Sequence, residues 1–213
     1  MQLLPRPQRD IANPKPSLAF EPFLETALEK PAPGNDPSAP SQTIADPLTD
    51  REHNRLAIFI DGANLFYAAS RLNLEIDYSK LLCQLTKQRR LIRAYFYTGI
   101  NLANEKQQKF LLWLRRNGYR VMTKELIQYP DGSKKANLDV EMVVDMLTLA
   151  HYCDTVVLLS GNGDLTYAAN AIADRGVWVE VVSLRSMTSD QLINVADCYI
   201  DLDTIKGEIQ KDK

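Results

Sequence analysis

Cysteine is scarce: Cys83, Cys153 and Cys198 are the only ones in 213 residues. An odd number without CxxC or CxH spacing argues against a disulfide framework or a thiolate zinc site, and suits a reducing compartment. No apolar run approaches the ~18 residues that a membrane-spanning helix needs. The opening Met1-Gln2-Leu3-Leu4-Pro5-Arg6 lacks the apolar core of a signal peptide. Together these absences predict a cytoplasmic protein that does not engage a membrane. Histidine is nearly missing too; His53 and His151 read as surface or otherwise satisfied side chains. Beyond Pro47 a single proline remains, Pro130.

The other ten of the eleven prolines fall in the first 47 residues. Proline fixes φ and removes an N–H donor, so the run Pro31-Ala32-Pro33-Gly34-Asn35-Asp36-Pro37-Ser38-Ala39-Pro40 can build neither a helix nor a ladder. Residues 1–50 therefore read as a disordered Pro-rich tail. Inside it, between Ser17 and Lys30, Leu18, Phe20, Phe23, Leu24, Ala27 and Leu28 recur at roughly helical spacing. This is either a short helix that docks on the domain or on a protein partner, or a transient helix without a role. Residues 54–205 read as one domain and 206–213 as a charged tail.

The net charge of −2 conceals two blocks. From Lys87 to Lys135 there are twelve Lys or Arg against three Asp or Glu; from Ala136 to Asp203 there are eleven acids against two bases. A basic stretch alone is commonly a solvated face. Beside an acidic one it also suits a site where carboxylates hold a cation and basic side chains hold a polyanion.

The texture of 54–205 is α/β. Arg55-Leu56-Ala57-Ile58-Phe59-Ile60, ended by Asp61-Gly62, has the continuous apolar run of a strand buried on both faces. Further strands are predicted at 91–97, 119–123, 155–159 and 177–182, with a short one at 198–202. Helices are predicted at 65–71, 78–87, 104–117, 138–152 and 189–196, with another from the loop after 159 to Arg175. The stretch 125–136, around Pro130-Asp131-Gly132-Ser133, reads as a hairpin or an excursion. Strands alternating with helices predict a parallel sheet covered on both faces.

In such sheets ligands bind beyond the carboxyl ends of the strands. Asp61 follows the first strand, Asp164 lies in the loop after the fourth, and Asp139 opens the helix near 138 beside Lys134 and Lys135. Asp145, six residues on, points about 120° away from Asp139 and is the weaker candidate. Each of Asp61, Asp139 and Asp164 alone could be a helix cap. Gathered at one rim they favour a divalent cation, because clustered carboxylates repel one another unless one compensates. An all-oxygen ligand set selects Mg²⁺ or Mn²⁺. Arg89, Arg90 and Arg93 could contact phosphate, or could be an ordinary basic surface. Tyr95 and Tyr97 read as core packing rather than base-stacking residues.

Three segments in order, Phe59-Ile60-Asp61-Gly62-Ala63-Asn64-Leu65, Lys135-x-x-x-Asp139-x5-Asp145 and Leu158-Leu159-Ser160-Gly161-Asn162-Gly163-Asp164-Leu165, resemble the signatures of NYN domains. These belong to the PIN-like nuclease superfamily, and the LabA-like branch is the nearest in look. The resemblance implies a PIN-like Rossmannoid fold and metal-dependent cleavage of RNA. It also implies that Asp61, Asp139 and Asp164 hold the metal and that Asn64 orients a carboxylate, water or phosphate. The chain departs from the usual Ser-Gly-Asp-x-Asp at Asn162, which can offer a carbonyl oxygen but carries no charge. Two functions follow as expectations. One is a divalent-metal-dependent ribonuclease in which Lys134 and Lys135 neutralise the flanking RNA backbone. The other is a regulatory RNA- or protein-binding module with weak or no cleavage. An aspartyl phosphotransferase is disfavoured, since Ala63 stands where its second aspartate belongs.

Overall fold

The computed structural model describes residues 55–128 and 134–212. The Pro-rich segment 1–50, with the expected helix in 17–30, and the turn at 130–133 lie outside the described residues. Strand β1 (Arg55–Asp61) has no exposure from Leu56 through Ile60. Successive side chains on a strand point to opposite faces. Leu56, Ile58 and Ile60 accordingly enter one apolar layer, and Ala57 and Phe59 the other. A strand apolar on both sides belongs at the centre of a covered parallel sheet.

From β1 the chain runs through α1 (Gly62–Arg71) and α2 (Tyr78–Thr86) to β2 (Arg90–Ile100), then through α3 (Glu105–Arg116) to β3 (Tyr119–Glu125). The strands β4 (Ile127–Gln128) and β5 (Lys134–Lys135) pair antiparallel, as the expected hairpin. Helix α4 (Asp139–Leu149) leads to β6 (Thr155–Leu159), and a 3-10 turn at Gly163–Leu165 runs into α5 (Thr166–Ala173). Strand β7 (Trp178–Ser183), a second 3-10 turn at Arg185–Met187, α6 (Asp190–Val195), β8 (Cys198–Asp201) and α7 (Lys206–Ile209) follow. Six strands form one sheet in the order β3-β2-β1-β6-β7-β8, and every pair in it is parallel. Helices α1 and α2 contribute to the apolar layer on one face, and α4, α5 and α6 to the layer on the other. The strand order grows in opposite directions from the β1/β6 pair. The crevice at the carboxyl ends of those two strands is therefore the topological switch point, where open α/β sheets bind ligands.

Two boundaries differ from the sequence reading for physical reasons. Strand β2 extends to Ile100 because β3 continues beside it, pairing Gly99 with Lys124 and Ile100 with Glu125. The charged stretch 206–213 is not merely a tail: α7 packs on α2, Ile209 is fully buried, and Gln210 bridges to Ile76. The isoleucines at 205 and 209 share one helix face, so the charges around them do not keep the segment off the core. Among the described residues no helix is long and apolar enough to cross a membrane.

Candidate functional site

Ile60 pairs with Leu159, so Asp61 and Ser160 emerge side by side where β1 and β6 end. Asp61 caps α1: its Oδ1 accepts the backbone N–H groups of Ala63 and Asn64, each at 3.1 Å. Its Oδ2 accepts the Ser160 hydroxyl at 3.2 Å, and Ser160 Oγ accepts the Asn162 N–H at 3.1 Å. Capping and site-building are thus done by the same carboxylate. Asn64, one turn into α1, accepts the Gly161 N–H at 3.1 Å and the Ser183 hydroxyl at 3.5 Å through Oδ1. It ties α1 to the ends of β6 and β7. Gly161 must be glycine, since a Cβ there would collide with the carbonyl oxygen of Met187.

Asn162 links this group to α4. Its Oδ1 accepts the Asp164 N–H at 3.0 Å, capping the 3-10 turn, while its Nδ2 donates to Asp139 Oδ2 at 3.2 Å. Asn137 steadies Asp139 from the other side: its Nδ2 donates to Oδ2 at 3.1 Å, and its Oδ1 accepts the Asp139 N–H at 2.8 Å. Burial pushes the Asp61 carboxyl above its ordinary range; the Asn64 N–H and the Ser160 hydroxyl pull it back, and the charge of Asp139 raises it again. The two carboxylates therefore sense each other.

The other expected acids are Asp164 and Asp145. Asp164 is exposed, and among the described residues its carboxylate has no hydrogen-bond or ion-pair partner. Asp145 accepts the hydroxyl of buried Tyr97 at 2.9 Å, as its different direction from Asp139 requires. Burial first, and then that bond, drive the Tyr97 hydroxyl far above its usual range. Tyr95 and Tyr97 are core residues, with Tyr95 stacked between Phe59 and Tyr97. Among the described residues no three of His, Cys, Asp and Glu come close enough to hold a metal ion. The Asn162 side chain joins two of the three expected acids, donating to Asp139 Oδ2 and accepting the Asp164 N–H, and Asp61 feels the charge of Asp139. A pair still suits Mg²⁺ or Mn²⁺, hard cations that take one or two carboxylates and complete their shell with water and phosphate.

The three arginines lie on β2 and just before it. Arg90 pairs with Arg55 at the start of β1, whereas Asp61 pairs with Tyr97. Six residues of strand separate them, about 20 Å, so Arg89 and Arg90 lie at the edge opposite the carboxylates, while Arg93, beside Ala57, lies about 13 Å along the strand from Asp61. Arg89 is engaged besides: its guanidinium grips Glu180 at 2.7 Å and 3.1 Å and donates to the Leu85 carbonyl. Arg93 donates to the carbonyl of Ile92. The backbone of Lys134 and Lys135 forms β5, just before Asp139 in the chain; their side chains lie outside the described residues.

Residues 55–203 match the NYN domain family. The chain belongs to that family. It is 37% identical over 166 residues to low amplitude and bright protein LabA of Synechococcus elongatus, which covers 74% of this chain and 89% of that protein. A solved structure, of a protein of unknown function from Vibrio parahaemolyticus, matches with a TM-score of 0.65 at 29% identity, over 75% of this chain and 98% of that one. The assignment is thus NYN and LabA-like, a nuclease-type domain of the PIN-like kind. Domains of this kind are generally dependent on divalent metal. Within this NYN domain the structure adds residues that sequence reasoning did not assign. Ser160 lay inside a quoted signature but had no role until its hydroxyl met Asp61. Asn137 and Ser183 carried no signal, since their partners Asp139 and Asn64 reach them only through the fold.

Proposed function

We propose that this NYN domain hydrolyses RNA phosphodiester bonds at the Asp61–Asp139 pair with Mg²⁺ or Mn²⁺ as cofactor. The supporting observation is the largely buried Asp61 carboxylate, held by the α1 cap and Ser160 at the switch point of a parallel sheet, with Asp139 fixed nearby by Asn137 and Asn162. Asp61 and Asp139 would hold the cation, which when bound lowers the pKa of a water and offsets charge on the scissile phosphate. Helix capping and Ser160 fix the orientation of Asp61, and Asn137 with Asn162 fixes Asp139. Asn64 locks the loops after β6 and β7 against α1, which keeps the site preorganised. Asp164, exposed at the rim, would orient a water or a substrate hydroxyl by hydrogen bonding. Lys134 and Lys135 would neutralise the substrate backbone, and the scarcity of cysteine supports a cytoplasmic setting.

A second reading, an RNA- or protein-binding module with weak or no cleavage, is favoured by one observation. The Asn162 amide already donates a hydrogen to Asp139, easing some of the charge that a cation would otherwise neutralise. The expected partner contact through 1–50 belongs to this reading. Cleavage of single-stranded RNA with Mn²⁺ by wild type, Asp61→Asn and Asp139→Asn separates the two. Loss of roughly 100-fold or more in each variant, the scale on which removing one electrostatic group acts, supports hydrolysis. Equal activity in all three removes the proposed site, and RNA binding without metal-dependent turnover supports the module.

A further inference from the structure

Two tyrosines have no structural explanation. Tyr67 on α1 is 61% exposed and Tyr167 on α5 is 86% exposed. Among the described residues neither hydroxyl has a hydrogen-bond partner. A single exposed aromatic is ordinary; these two share a placement that is not. Tyr67 is three residues past Asn64, and Tyr167 three residues past Asp164. Both helices begin at the carboxyl edge of the sheet, and helical side chains lean toward the helix N-terminus. That tendency favours the end of each helix at which the carboxylates stand. The helices cover opposite faces, since Leu65 and Ala68 of α1 enter one apolar layer and Ala169 and Ile172 of α5 the other. One exposed tyrosine thus sits, on each face of the sheet, on a helix that starts at the rim. Phe66 braces Tyr67 edge-on at 5.8 Å between ring centres.

We infer that Tyr67 and Tyr167 are base-stacking residues that set the register of unpaired RNA across the Asp61–Asp139 pair. Every base has a π-face, so two aromatic platforms bind without reading sequence, while the backbone between them crosses the carboxylate edge. A duplex, whose bases are already stacked, cannot use them. The inference rests on the RNA reading above and assigns the residues that choose single strands and position them; they are positioning residues, not catalytic ones.

The test is binding rather than cleavage. The full chain is titrated with a fluorescein-labelled, 2′-O-methylated single-stranded oligonucleotide of mixed sequence, which resists hydrolysis, in the presence of Mn²⁺. Anisotropy is read for wild type, Tyr67→Ala, Tyr167→Ala and the corresponding Phe variants. Each Ala variant should weaken binding by roughly 5- to 100-fold, the range for loss of one stacked base, and each Phe variant should bind within about twofold of wild type, because phenylalanine keeps the ring. An oligonucleotide of the same length with abasic sugars should bind wild type and Ala variants alike. Ala variants that bind the normal oligonucleotide like wild type overturn the inference while leaving the RNA reading standing. Absence of binding by wild type overturns both. Thermal melts of the Ala variants matching wild type exclude misfolding as the cause.

Discussion

Asn162→Asp restores the acid that the signature usually carries, and the structure fixes what that costs without metal. The Asn162 Nδ2 donates to Asp139 Oδ2 at 3.2 Å. An aspartate there replaces an attractive donor with a second negative charge at the same distance. At an effective dielectric near 20, two unit charges 3.2 Å apart repel by ~5 kcal/mol. Asn162 is only partly buried, so rotation and solvent relieve much of this. The lost hydrogen bond adds about 1 kcal/mol, and the expected net destabilisation is about 1–3 kcal/mol. The other role of the side chain survives, because a carboxylate still accepts the Asp164 N–H. For a domain of this size that corresponds to a melting point lower by roughly 3–10 °C. Mn²⁺ should recover most of the loss in the variant, raise its melting point more than that of wild type, and increase RNA cleavage. Differential scanning fluorimetry with EDTA and with Mn²⁺, beside an RNA cleavage assay, reads all three quantities. A variant that melts like wild type in EDTA and gains nothing from Mn²⁺ would refute both the Asn162–Asp139 contact and the location of the cation.

Other outcomes follow from single contacts. The folded-state pKa of Asp61 is raised, chiefly by burial, so its charge costs stability above its unfolded pKa, and the cost disappears as pH falls below that value. Metal-free Asp61→Asn should therefore melt at or above wild type at pH 7, the advantage vanishing on acidification, whereas Asp61→Ala, which also loses the α1 cap, should lose about 1 kcal/mol in urea titration relative to Asp61→Asn. Gly161→Ala forces a Cβ against the Met187 carbonyl and should cost about 2 kcal/mol or more by denaturant unfolding. Arg89→Ala strands the mostly buried Glu180 and should cost about 2–4 kcal/mol, yet leave RNA affinity within about twofold, since only contacts at the site carry binding energy; a large affinity loss in a folded variant would place RNA at the opposite edge. Burial holds the Cys153 thiol up to about 11, while Cys83 is exposed. Iodoacetamide at pH 8 should alkylate Cys83 first and reach Cys153 only on unfolding, as peptide mapping would show.

Much of the architecture is determined locally, and so the sequence alone determined it. An apolar run such as Leu56–Ile60 can be satisfied only between two covered faces, and turn chemistry marks where Asp61 and Asp164 leave their strands. The NYN resemblance rests on such linear signatures too, and Asn64 and Asn162 were legible as departures or companions within them. Tertiary structure decided what depends on direction and through-space distance. Parallel strands carry every carboxyl end to one edge, which brings Asp61 beside Ser160 and sends Arg89 and Arg90 to the far one. Helical rotation turns Asp145 to Tyr97, and the Asn162 side chain joins the Asp164 N–H to Asp139. Ser160, Asn137 and Ser183 acquire their roles only as the chain closes, because a hydrogen bond needs two groups within about 3 Å, and no linear pattern encodes that distance between segments brought together by the sheet.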